Sequence, residues 1–132
     1  MSRLIAVVAV VTMLAGGCAN NRESAQARAP RDTGTATARI GPDGVQEVAI
    51  VGTEQFRFVP STVRAKAGKL RILLTNSGTT PHDLQIEGLP ATTGLIGGGE
   101  KGRITVTLKP GSYSFVCTLH TRLHMMGTIV VS

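Results

Sequence analysis

From Gln46 onward, apolar and polar residues alternate in short runs separated by turn-forming residues. The runs are QEVAIV (46–51), TVRAKA (62–67), KLRILLTN (69–76), HDLQIE (82–87), RITVTL (103–108), SYSFVC (112–117) and GTIVV (127–131). A period of two marks a strand with one face on a core. Pro60-Ser61, Ala67-Gly68, Asn76 to Gly78, Gly88 to Pro90, Gly97 to Gly99 and Pro110-Gly111 punctuate the runs. No stretch holds a helical period over twelve residues. Strands this short, with turns at this spacing, predict an all-β sandwich or barrel built on one modest core. In the run 112–117, Tyr113, Phe115 and Cys117 share the face expected to point inward.

The first eighteen residues follow a different pattern. Arg3 precedes an apolar run, Leu4 to Ala15, broken only by Thr12 and leading through small residues into Cys18. This is the layout of a secretory signal, and it is too short for the ~20 residues of a membrane-spanning helix. The residues LAGGC, ending at Cys18, resemble a bacterial lipobox, although Leu14 sits four residues before the cysteine and the motif usually has it one nearer. The resemblance implies lipidation of Cys18 and a membrane anchor, each buried CH₂ contributing roughly 0.8 kcal/mol. The alternative is ordinary cleavage with an incidental free cysteine. Residues 19–45 are rich in Ala, Thr, Arg, Pro and Gly, with no aromatic residue. Such a segment buries too little to fold, so it is expected to be a tether, spanning on the order of 30 Å as a coil. The expected division is therefore 1–18 signal, 19–45 tether and 46–132 folded domain.

Charge narrows the partners. The net charge of +6 in 132 residues divides as +1 over 1–18, +1 over 19–45 and +4 over 46–132. The basic residues of the domain are dispersed and Trp is absent, so no aromatic platform for single strands is evident. Nucleic acid is not an expected partner. The segment LIGGGEKGR (95–103) lacks the Gly-Lys-Ser/Thr of a phosphate loop and has no helix to follow it.

Cysteine and histidine usage points to chemistry. If Cys18 carries lipid, Cys117 has no intramolecular disulfide partner, which in an exported chain calls for an explanation. A buried free cysteine is often only a small hydrophobe. Here its neighbours are His120 and Met125, in the order Cys-x2-His-x4-Met, on a loop leaving one strand just before the next begins at Gly127. Thiolate, imidazole and thioether are soft ligands suited to copper, and a His₂Cys site with a long axial Met is the blue-copper electron-transfer centre. The remaining histidine near a strand start is His82, in TTPHDLQI.

TNSGTTPHDLQIEGLP and KPGSYSFVCTLHTRLHMMGTIVV resemble the plastocyanin-like cupredoxins, and FRFVPSTVRAKAGKLRILLTN (56–76) is similar to the strand pair before the first histidine of that family. The resemblance spans about 46–132. It implies a Greek-key β-sandwich and one type 1 copper held by His82, Cys117, His120 and Met125. Met125 has the family spacing, whereas Met126 would project the other way. His124 replaces a residue that is usually glycine, and stands either as a bystander or as a spare ligand. Asp83 stands where the family usually has asparagine tying the two ligand loops together; Thr118 is a candidate to donate a hydroxyl to it instead. In the family the loop histidine, here His120, reaches the surface within an apolar patch. Leu89, Pro90, Leu95, Ile96 and Leu123 are the candidates for that patch.

The expected function is a membrane-tethered carrier of single electrons between redox partner proteins of the bacterial cell envelope, acting as a monomer and catalysing no reaction. It would face the periplasm or the cell exterior. The alternatives are a copper-binding lipoprotein that scavenges copper or delivers it to an envelope oxidase, and a structural zinc site of His82, Cys117, His120 and His124.

Overall fold

A computed structural model of the chain describes residues 32–132. The signal segment, Cys18 and the first part of the expected tether lie outside the described residues. The strands are β1 (Thr35–Thr37), β2 (Arg39–Ile40), β3 (Gln46–Gly52), β4 (Phe58–Val59), β5 (Thr62–Ala65), β6 (Gly68–Asn76), β7 (Gln85–Ile86), β8 (Ala91–Thr92), β9 (Lys101–Leu108), β10 (Gly111–Val116) and β11 (Met126–Val131). One turn of 3₁₀ helix, Thr121–Leu123, precedes β11.

These strands form two mixed sheets. One runs β1-β5-β11-β10-β7-β8; the other runs β2-β3-β6-β9, with β4 added to β3. In the second sheet β3 and β6 are parallel over seven pairs, from Gln46↔Leu70 to Gly52↔Asn76. The alternation read from the sequence is realised here. Val48 and Ile50 of β3, and Leu70, Ile72 and Leu74 of β6, face inward, while Glu47, Ala49 and Leu73 point away. They meet Val63, Ile86, Phe115 and Ile129 from the other sheet in one core, giving a two-sheet β-sandwich. Phe58 and Phe115 stack at its centre, 5.2 Å between ring centroids. Gly127 makes this possible, because a Cβ there would collide with the Phe115 ring and the Ser61 carbonyl.

Two expectations about secondary structure change. Residues 32–45 fall within the expected tether, yet β1 pairs in parallel with β5 and β2 pairs with β3. Thr33 also donates its backbone N–H to Ser61 Oγ at 3.0 Å. These residues are held by main-chain hydrogen bonds and bury little, so hydrophobic periodicity carries no trace of them. The run 82–87 is a strand only at Gln85–Ile86. Before it, His82 forms a single bridge with Ile96, and the Leu84 N–H turns to the Thr93 hydroxyl at 2.9 Å.

Candidate metal centre

Cys117 follows the last residue of β10, on the inward face with Phe115, and is fully buried. The segment after it folds back tightly. His120 donates its N–H to the Cys117 carbonyl (3.1 Å), and His124 donates to Thr121 (3.0 Å). His124 then adopts left-handed backbone, φ 56°, which reverses the chain. That returns Met125 to the start of the loop, where its carbonyl accepts the Cys117 N–H at 3.0 Å. A left-handed position is one that glycine occupies without strain, so the histidine at 124 carries a backbone cost there.

His82 arrives from the far side of the core, held in its bridge with Ile96 by a pair of backbone hydrogen bonds of 3.0 and 2.8 Å. Its Nδ1 lies 3.3 Å from His120 Nδ1 and 3.9 Å from Cys117 Sγ, and Sγ lies 3.3 Å from His120 Nδ1. A triangle with these sides has its centre ~2.0 Å from each corner, against the roughly 2.0–2.1 Å at which imidazole nitrogens bind zinc. Three soft or borderline donors thus surround a space of single-ion size. Among the described residues they form a potential metal-holding group, and His124 is not part of it.

The fourth candidate is beside them. Met125 is fully buried, and its terminal methyl and the His82 ring both lie over Gly52, 3.4 Å and 3.1 Å from where a Cβ would stand. Glycine at 52 lets the β3 backbone approach both side chains.

The protonation state of His82 suits metal binding. His82 Nε2 is 3.1 Å from the Thr53 carbonyl. A carbonyl only accepts, so Nε2 carries the hydrogen and Nδ1 presents its lone pair to the centre. Burial lowers the His82 pKa, with the neighbouring His120 acting in the same direction, so the ring is neutral at pH 7. Burial pushes the Cys117 thiol up. Hydrogen bonds to its sulfur from the backbone amides of Asp83 and Leu119 act against that, and the Asp83 carboxylate adds to it.

Asp83 is nearly buried and spans the two ligand loops. Its Oδ1 accepts the Thr118 N–H at 2.7 Å, and its Oδ2 accepts the Thr118 hydroxyl. The tie between the loops is kept with every donor on the Thr118 side.

The surface around His120 differs from the expectation. His120 is half-buried, while Leu119, Leu123 and Leu95 are exposed at 55%, 45% and 63%. Ile96, expected on this surface, is a core residue at 5% exposure, because it pairs with His82. Leu89 is half-buried and packs against the core. Leu119 was missed, although its place between Cys117 and His120 was the available signal.

Sequence reasoning also missed the loop between β3 and β4, residues 53–57. Phe56 stacks against His120 with centroids 4.7 Å apart and stands edge-on to His82 at 6.4 Å. Its φ of +56° is an outlier for a bulky side chain, of a kind that costs ~1–3 kcal/mol and clusters at functional sites.

A profile described as "Cupredoxin-like domain" matches residues 5–131. The structure is similar to the crystal structure of dithionite-reduced auracyanin from the photosynthetic bacterium Roseiflexus castenholzii. That likeness covers 65% of this chain and 96% of that one, with a TM-score of 0.58 and 19% identity, and it bears on the fold. The donor set, two imidazole nitrogens and one thiolate sulfur with a buried thioether alongside, fits a single type 1 copper. With its fold, its buried cysteine and its paired histidines in place, the chain belongs to the cupredoxin-like domain family.

Proposed function

We propose that the protein carries single electrons, using one copper held by His82, Cys117, His120 and Met125. The observation that supports this most is the triangle of His82 Nδ1, His120 Nδ1 and Cys117 Sγ, with sides of 3.3, 3.9 and 3.3 Å. When bound, copper supplies a reversible one-electron change of oxidation state.

The chain's own residues supply the rest. Thr53 fixes the His82 tautomer, and Asp83 locks the His82 and Cys117 loops together through Thr118. Gly52 admits Met125 and His82 side by side. Donors fixed on a stiff sandwich move little when the charge at their centre changes, and a low structural rearrangement is what fast electron exchange needs. His120 is the one member of the cluster that is not fully buried, and Leu119 and Leu123 flank it on the same loop. That edge is the proposed doorway for electrons and the surface on which redox proteins dock.

The carrier is further proposed to be exported and held on the bacterial cell membrane by lipid on Cys18, facing the periplasm or the exterior. Redox titration of the copper-loaded protein tests the carrier role: repeated cycling with copper retained supports it, and loss of Cu(I) to an acceptor on reduction supports delivery instead. Membrane fractionation of cells expressing the wild type and Cys18→Ala tests the anchor, which requires that C18A leave the membrane.

A further inference from the structure

We infer that Glu54 is a positioning residue for the metal centre: its carboxylate latches the 53–57 loop onto the segment leading into His82. This rests on the copper reading of the site. Glu54 Oε1 accepts the Thr79 N–H, the Thr79 hydroxyl at 2.9 Å and the Thr80 N–H at 2.7 Å, and Oε2 accepts the Thr80 hydroxyl at 2.8 Å.

The latch takes over where the sheet stops. The parallel ladder of β3 and β6 ends at Gly52↔Asn76, with one more bond from the Ser77 N–H to the Gly52 carbonyl at 2.9 Å. Beyond it the two backbones separate, and the amides of Thr79 and Thr80 turn to the carboxylate. Hydrogen bonds to an ionised group are about twice as strong as neutral ones, and here they hold the Glu54 pKa down to about 2.

Two neighbours of Glu54 in that loop touch the histidines. Thr53 offers its carbonyl to His82 Nε2, and Phe56 packs its ring against His120 at a tilt of 57°. Thr53 also accepts the Phe56 N–H at 3.1 Å and donates to the Arg57 carbonyl at 2.9 Å, so the loop is tied together by its own backbone. With the latch closed, both imidazoles are backed by a fixed wall. With it open, His82 loses the acceptor that sets its tautomer and His120 loses its cover. Residues that orient ligands in this way typically govern metal affinity by 10–100-fold.

The test compares wild type with E54A and E54Q. The glutamine amide can keep its oxygen on the Thr79 and Thr80 amides and donate its NH₂ to the Thr80 hydroxyl, so E54Q preserves the geometry without the charge. In the copper-loaded full chain, E54A should shift the thiolate absorption and electron paramagnetic resonance spectra and release copper to a chelator roughly 10–100-fold faster. E54Q should resemble wild type in both. In the metal-free protein, E54A should lose amide-exchange protection at Thr79 and Thr80, and E54Q should retain it. G78A is the independent variant, because a methyl there would lie 2.5–2.9 Å from the Glu54 side chain and displace it. It should reproduce the E54A behaviour and serves if E54A does not fold. Wild-type spectra and release rates in E54A and G78A would overturn the inference, as would an E54Q as perturbed as E54A. A wild type without a thiolate band would instead remove the copper reading itself, and this inference with it.

Discussion

Replacing Asp83 by asparagine isolates the effect of one buried charge on the metal centre. The carboxylate accepts both the Thr118 N–H and the Thr118 hydroxyl. An asparagine oxygen can keep the first bond while its NH₂ donates to the hydroxyl, which can accept. The tie therefore survives and only the charge goes. Asp83 adjoins one proposed ligand in sequence and clasps the residue next to another, which places its charge within roughly two Cα steps, about 7.6 Å, of the donor triangle. At an effective dielectric constant of about 20, a unit charge at that distance contributes about 2 kcal/mol. Its sign favours the more positive oxidation state. For a one-electron couple, with about 59 mV per tenfold, D83N should raise the reduction potential by about 50–100 mV, the lower figure allowing for solvent screening. Voltammetry at pH 7, with electron paramagnetic resonance confirming an unchanged site, measures it. An unchanged or lower potential in a site of unchanged geometry would refute the electrostatic reasoning.

Three further outcomes are expected. Copper(II) uptake at neutral pH should release the Cys117 thiol proton, because the thiol is pushed up by burial and must ionise to bind, whereas His82 is already neutral; titration in weak buffer, wild type against C117S, measures it. Stability of the metal-free protein should fall on acidification in two windows, seen in denaturant midpoints. His82, held below its ordinary 6.5, contributes stability that is complete above that pH and declines beneath it; Glu54, lowered from 4.5 to about 2, contributes stability lost between those two values, a window E54Q should flatten. His124→Gly should relieve the left-handed backbone at φ 56°, offset in part by the greater freedom of glycine in the unfolded chain, and raise Tm by roughly 3–6 °C; a lower Tm would mean the imidazole makes contacts that outweigh the strain.

What could be read from the sequence was what is local. The two-residue period of β3, β6 and β9 announces their buried faces, and the run from Cys117 to Met125 announces one loop with three candidate donors. His82 could be paired with them only through resemblance to a family, since 35 residues separate it from Cys117. Strands β1 and β2 left no signal because backbone pairing, rather than side-chain burial, holds them. The wall behind the histidines was invisible for a related reason. Glu54 finds Thr79 across 25 residues of sequence, and a glutamate, a threonine pair and a phenylalanine in a turn look like ordinary surface until the fold brings them together. Ile96 was misassigned because its apolar character suits the surface patch and the core equally, and the bridge to His82 decides between them.

The central claim, that Cys117, His82 and His120 hold one copper with a thiolate bond, is tested most directly by adding Cu(II) to the full chain and recording its visible spectrum beside that of Cys117→Ser. An intense thiolate-to-copper band that saturates at one copper per chain, and is absent from C117S, is the predicted result. A colourless wild type, or a band that persists in C117S, would contradict it.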